Sequence, residues 1–150
     1  MAQVNAMTNM WIDRQRGMIF SSTDAAANDS DKTMTVPTGY VWEIQTVNIT
    51  YVSDATVGNR QVKLVVKDSA GVEIGNFNAD SVQAASVTEY YNFSPAAGIA
   101  TEAPAGYHYV AFPPFTLGAG ATIRAYDSAA IAAATDDMTV TLYGVAYLDH

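Results

Sequence analysis

Cysteine is absent from the 150 residues. Disulfides, thiolate nucleophiles and zinc-thiolate sites are thereby excluded, because each needs the sulfur. Charge is sparse as well: 15% of the residues are Asp, Glu, Lys or Arg, against about a quarter in an average globular chain. Basic residues are the scarcer kind, seven against fifteen acidic ones, for a net charge of −8. Phosphate backbones are held by clustered Lys and Arg that displace counterions, so no nucleic-acid partner is expected. No segment approaches the ~20 consecutive apolar residues of a membrane span. The first twenty residues, MAQVNAMTNMWIDRQRGMIF, lack the basic start and continuous apolar run of a signal peptide. No membrane partner is expected either.

What is present is 49% apolar, which removes the disorder signature of low hydrophobicity with high charge. The length is that of one domain, able to bury roughly two-thirds of the surface its unfolded chain would expose. Thr, Ser, Asn and Gln supply much of the polar surface. That suits a β protein with partly buried faces.

Short strand patterns recur along the chain, separated by turn signals. The first sixteen residues fit neither strand alternation nor a helical stripe and are expected to form an N-terminal arm, residues 1–16, ahead of a domain spanning 17–150. Strand candidates follow at Gly17–Ser22 and Lys32–Val36, with a loop between them. From Tyr40 to Ser53 runs a long strand in which Trp42 and Ile44 share one parity while Val47, Ile49 and Tyr51 share the other. A period-two pattern that changes phase near Gln45 and Thr46 predicts a β-bulge, or a bend where the strand passes between sheets. Val62, Leu64 and Val66 alternate with Gln61, Lys63 and Lys67, one face buried and one wet, as in an antiparallel sheet. Asp68-Ser69-Ala70-Gly71 reads as a hairpin turn into Val72–Phe77, and further strands are expected at Val87–Phe93, Tyr107–Phe112, Ala121–Tyr126 and Met138–Leu148. Ser128–Ala134, SAAIAAA, has helix propensity but is too short to stand alone in water. The expected architecture is an all-β antiparallel sandwich or barrel of about eight or nine strands.

Candidate chemistry is thin. His108 and His150 are the two histidines. A hydrolytic triad needs a nucleophile beside an oriented base, and His108 between Tyr107 and Tyr109 on a strand reads as a surface or packing residue. Asn28-Asp29-Ser30-Asp31, with Asp24 nearby, has calcium-like spacing but lacks the glycine and terminal glutamate of an EF-hand, so a solvated turn is expected. Asp136-Asp137 has the same turn reading. Gly118-Ala119-Gly120 lacks the Lys-Ser/Thr of a phosphate loop and is hairpin chemistry. No catalytic, metal or cofactor site is expected, and no enzyme activity.

Binding surfaces are the better candidates. Met7, Met10, Trp11 and Ile12 on the arm, Arg60 after the Gly58-Asn59 corner, and Tyr143 and Tyr147 on the last strand are the interface candidates. For Arg60 two roles stand side by side: pairing with an acidic group of a neighbouring subunit, or bracing its own loop, the latter favoured. Tyr90, Tyr91, Tyr107 and Tyr109 are candidates for an aromatic platform for sugars, weighed against core packing and a subunit interface.

Several stretches resemble the small jelly-roll structural proteins of tailed bacteriophages. They are the Tyr40-Val41-Trp42-Glu43-Ile44 strand, Ala55-Thr56-Val57-Gly58-Asn59-Arg60, the Lys63–Asp68 strand with its Ala70-Gly71 turn, the run from Phe112 to Arg124, and the closing Asp136–Val140. The resemblance covers Pro37 to Leu148 and leaves the arm outside. It implies a jelly-roll β-sandwich in the virion, assembled in the bacterial host cytoplasm. The implied role is a head decoration or cement protein whose partner is the major capsid protein. Related proteins also occur in necks, baseplates and tails, and a host-glycan-binding adsorption module is the remaining alternative. Because oligomers are usually closed and symmetric, a homodimer or homotrimer is expected.

Overall fold

The computed structural model describes residues 17–27, 29–95 and 104–149. Ten strands lie among them: β1 Met18–Asp24, β2 Asp31–Thr35, β3 Tyr40–Val52, β4 Val62–Lys67, β5 Glu73–Asn78, β6 Thr88–Ser94, β7 Tyr107–Ala111, β8 Phe115–Leu117, β9 Thr122–Asp127 and β10 Asp137–Leu148. No helix occurs among the described residues. One sheet has the order β1-β10-β3-β6-β7, with β8 also paired to β3; the other has the order β2-β9-β4-β5.

The pairings are nested. The β4–β5 hairpin is innermost, and β3 with β6, β2 with β9 and β1 with β10 close successively around it, all antiparallel. A long two-stranded ribbon rolled up in this way is the jelly roll, and its two sheets are the two layers of the sandwich. β7 and β8 are additions between the sixth strand of that ribbon and its seventh, β9.

Alternation explains which residues lie between the layers. Ile44, Val47, Ile49 and Tyr51 from β3 are buried, as are Val140 and Leu142 from β10. They meet Val62, Leu64 and Val66 of β4 and Ile123 of β9 in one core cluster. Trp42 and Ile44 can share that core with Val47, Ile49 and Tyr51 because the chain carries one extra residue. Tyr143 pairs with Thr46 and Gly144 with Ile44, which leaves Gln45 unpaired in a β-bulge. The phase change in the sequence thus marks a bulge within one sheet, and β3 does not cross to the other. Gly144 sits against this bulge, where an added Cβ would lie 2.0 Å from the Glu43 carbonyl oxygen. No larger residue fits there without moving backbone.

Three expectations are corrected. There are ten strands instead of eight or nine; β8 is three residues long between Pro114 and Gly118, too short to show a period. The sheet is not wholly antiparallel, because β6 and β7 run parallel. β1 extends through Thr23 and Asp24, which composition assigned to a loop, since Thr23 and Asp24 pair with Thr141 and Val140. Ser128–Ala134 is a chain of turns with Ala130 and Ala132 at φ 53° and 48°. Asp127 holds that chain by accepting hydrogen bonds from the N–H groups of Ala129 and Ile131, each 3.0 Å away, so local helix propensity is overridden. Residues 1–16, the expected arm with Met7, Met10, Trp11 and Ile12, lie outside the described residues.

Candidate functional site

The sandwich has two outer faces, and strand alternation sorts side chains onto them. On the four-stranded sheet the register places three rows across the strands: Asn78, Lys63, Tyr126 and Asp31; Asn76, Val65, Arg124 and Thr33; Glu73, Lys67, Thr122 and Thr35. Every row carries charge. Arg124 donates from Nε to Asp31 Oδ1 at 2.7 Å and lies 4.1 Å over the Tyr126 ring. The Asp31 carboxylate raises the Arg124 guanidinium above its usual range, against the opposing effect of burial. Of the seven basic residues, Arg14 and Arg16 lie outside the described residues, and Lys32 and Arg60 are buried. The remaining three, Lys63, Lys67 and Arg124, all stand on this face.

The central outward rows of the six-stranded sheet present the opposite chemistry. One row runs Thr23, Thr141, Asn48, Asn92 and Tyr109; the next runs Thr139, Thr50, Tyr90 and Tyr107; a third has Ser21, Tyr143 and Thr46. None of these side chains is charged; Asp137 and Glu43 stand in the outward rows on either side of them. Tyr90 and Tyr107 stack with centroids 4.6 Å apart and rings 20° from parallel. Asn92 Nδ2 donates to Asn48 Oδ1 at 2.6 Å. Together with Thr50 and Tyr109 these residues line a shallow depression of about 320 Å³.

The four tyrosines expected to form one platform are therefore divided. Tyr90, Tyr107 and Tyr109 face outward, whereas Tyr91 is 1% exposed and points into the sandwich. Its ring stacks on His108, 4.7 Å between centroids. Burial pushes the Tyr91 hydroxyl pKa well up, and its hydrogen bond to Glu89 adds to the shift. Tyr91 Oη lies 2.9 Å from Glu89 Oε2 and 3.1 Å from Gln83 Oε1, so its single proton is shared between two acceptors. Tertiary folding also brings Ser81 to His108: Ser81 Oγ is 2.8 Å from Nδ1, and Nε2 is 2.9 Å from Glu89 Oε2. Sequence reading missed this serine, histidine and carboxylate because 27 residues separate Ser81 from His108. His108 has the opposite parity on β7 to Tyr107 and Tyr109, so the cluster does not open on the depression.

Arg60 is fully buried, and its brace is built from its own chain. Nε donates to Asp136 Oδ2 at 2.5 Å, and Nη2 donates to Asp136 Oδ1 at 3.1 Å and Asp54 Oδ1 at 2.8 Å. Nη1 donates to the carbonyls of Thr56 and Gly58. These contacts occupy the guanidinium fork and leave nothing of it for a neighbouring subunit. The Asp136 carboxylate raises the Arg60 pKa, with burial opposing. Asp136 is 0% exposed, so its reading as a solvated turn residue is corrected. It also accepts from Tyr51 Oη at 2.7 Å. Burial, then that bond, pushes the Tyr51 hydroxyl up. Asp54 is held below the usual carboxylate range, first by the Thr135 hydroxyl and then by the Thr56 N–H.

The other candidates resolve simply. Lys32, 1% exposed, places Nζ 3.6 Å from Asp24 and 3.3 Å from Asp29, so an ammonium stands between those two carboxylates. Among the described residues no cluster of His, Asp or Glu has the makings of a metal site. Tyr147 is half-buried, with Oη 3.3 Å from Glu43 Oε2. Its ring lies so near Gly17 that a Cβ there would come within 2.7 Å. Tyr143 is 43% exposed.

No family model matches the chain, and no curated protein matches it. Solved structures resemble it weakly. An exo-beta-agarase is 9% identical over 93% of this chain and 24% of its own, with a TM-score of 0.35. The infectious bursal disease virus Gx strain structure is 9% identical over 89% of this chain and 39% of its own, at 0.34. The family 11 carbohydrate-binding module from Clostridium thermocellum is 12% identical over 92% and 95%, at 0.30. The chain spans about a quarter of the agarase. At such scores these likenesses assign no role to the chain, and the jelly roll rests on the nested strand pairing itself.

Proposed function

We propose that the chain is a non-enzymatic structural subunit of a tailed-phage virion that decorates the head shell. In this reading it docks on the major capsid protein through the charged outer face of the four-stranded sheet. The carrying observation is the difference between the two outer faces. A subunit lying on a shell needs one side that recognises the shell and another that meets the surroundings. Lys63, Lys67 and Arg124 stand together on one face of an otherwise acidic chain. The partner surface is expected to offer carboxylates, which steer and register the encounter. A stable contact would bury more than about 1,000 Å², and a homodimer or homotrimer at a capsomer seam would multiply it.

No catalytic step belongs to this role. Glu89 Oε2 already accepts from both His108 and Tyr91, so the Ser81 cluster is read as a tie between β6, β7 and the preceding loop. Labelling the chain in intact particles and imaging them tests the proposal. Many copies distributed over the shell are expected. A few copies at one vertex would overturn it in favour of the neck, tail or baseplate role.

A further inference from the structure

We propose that the outer face of the six-stranded sheet, centred on Tyr90, Tyr107, Asn48 and Asn92, binds an uncharged oligosaccharide. The inference concerns the isolated chain and holds wherever on a particle the chain resides.

Charge selects the class of ligand. The three rows across β1, β10, β3, β6 and β7 contain no Asp, Glu, Lys or Arg. An anionic ligand would find no cation there and would meet the repulsion of a chain of net charge −8. A cationic ligand would find carboxylates only in the flanking rows, Asp137 on one side and Glu43 on the other. The apolar content selects further. Protein interfaces have apolar cores, yet these rows hold only Ser, Thr, Asn and Tyr. Aliphatic side chains, Val52, Val145 and Ile19, stand in the rows that flank these, and a centre with many hydroxyls and amides fits a ligand that is itself rich in hydroxyls.

The geometry adds what a sugar needs. Tyr90 and Tyr107 are 39% and 43% exposed, and Tyr109 is 38% exposed, so each ring has area to offer to the C–H face of a pyranose. Their hydroxyls make no hydrogen bond to other described residues. The bond from Asn92 Nδ2 to Asn48 Oδ1 leaves Asn48 Nδ2 as a donor and Asn92 Oδ1 as an acceptor on adjacent strands. That is a donor and acceptor pair suited to neighbouring sugar hydroxyls. The depression of about 320 Å³ is at the lower end of small-molecule sites, ~300–1,000 Å³. It is open, and Thr141 and Thr23 extend its row toward β1, which suits a chain of sugar units lying across the strands.

The test uses the purified full chain. It is applied to an array of neutral and acidic glycans, and the neutral tetrasaccharides that bind are then titrated by calorimetry. Saturable binding to neutral glycans is expected. Tyr107→Ala is expected to weaken it about tenfold or more, with the melting temperature unchanged. Asn92→Asp, which keeps the shape and adds a charge, supplies a second variant should Tyr107→Ala fold poorly; it too is expected to weaken binding. Absence of any neutral ligand overturns the proposal, as does preference for acidic glycans or binding that survives both substitutions. A wild-type dimer that Tyr107→Ala converts to monomer also overturns it, by showing a second copy on this face. None of these results bears on copy number in the particle, so the two proposals fail separately.

Discussion

The two outer faces of the sandwich come from the same strand geometry and differ in the charge displayed across their centres. Along β4 the outward positions are Lys63, Val65 and Lys67; along β3, past the bulge, they are Thr46, Asn48 and Thr50. The inward positions are alike, Val62, Leu64 and Val66 against Val47, Ile49 and Tyr51. Burial fixes the inward set, because a one-residue slip would expose it all. The outward set is free of that constraint, so its chemistry records what the surface meets. One face holds every described basic residue that reaches the surface, and the other holds none.

The comparison depends on a rigid frame beneath both faces, and the most severe way to break it is to remove the brace. Asp136→Ala leaves the Arg60 guanidinium buried without its main partner and frees Tyr51 Oη. Removing one member of a buried ion pair costs about 3–5 kcal/mol. Urea unfolding is expected to show a loss of that size, with both faces failing together. A loss under about 1 kcal/mol, the value of an exposed pair, would mean that the brace is replaced by water and that each face is held by its own sheet.

High pH loosens the frame from within. The hydroxyl pKa of both Tyr51 and Tyr91 is raised from the ordinary 10.0, in each case chiefly by burial. The folded state therefore keeps a proton that the unfolded state releases above pH 10. Stability from this source is intact below that pH and falls as pH rises toward the folded values. The slope is about 1.4 kcal/mol per pH unit for each tyrosine. Tyr51→Phe is expected to remove one tyrosine's share of the slope in melts between pH 10 and pH 11. An unchanged slope would show that Tyr51 is not the group responsible.

Much of this frame was legible in the sequence, and the reason is periodicity. The phase change at Gln45 announces the bulge, and Asp68-Ser69-Ala70-Gly71 announces its hairpin, where Gly71 adopts φ 81°. Gly144 inside a strand pattern is likewise a local sign of close backbone approach. The contacts that make sites were not legible, since they are long-range. Arg60 and Asp136 are 76 residues apart, and Asp136 resembles any turn aspartate until the fold buries it. Tyr90 and Tyr91 are neighbours of the same type, and only pairing decides that Tyr90 faces solvent while Tyr91 faces the core. The parallel addition of β7 is what sets Tyr107 beside Tyr90, and no local pattern encodes a parallel neighbour.

The smallest expected effect on stability is the most informative about the faces. Lys63 and Lys67 are half-buried on the outer face, with no ion pair to another described residue. Replacing both by Glu is expected to change unfolding free energy by no more than about 0.5 kcal/mol each, as for surface sites away from special features. The same double variant reverses the sign of the stripe that Arg124 completes. Docking on carboxylates through that stripe would then become repulsive, and binding to particles stripped of the chain is expected to fall, with the difference shrinking as salt rises. Equal binding by variant and wild type would move the docking surface off this sheet. The outer face of the six-stranded sheet would then be the side that meets the shell, and its tyrosines would have to be read as interface residues.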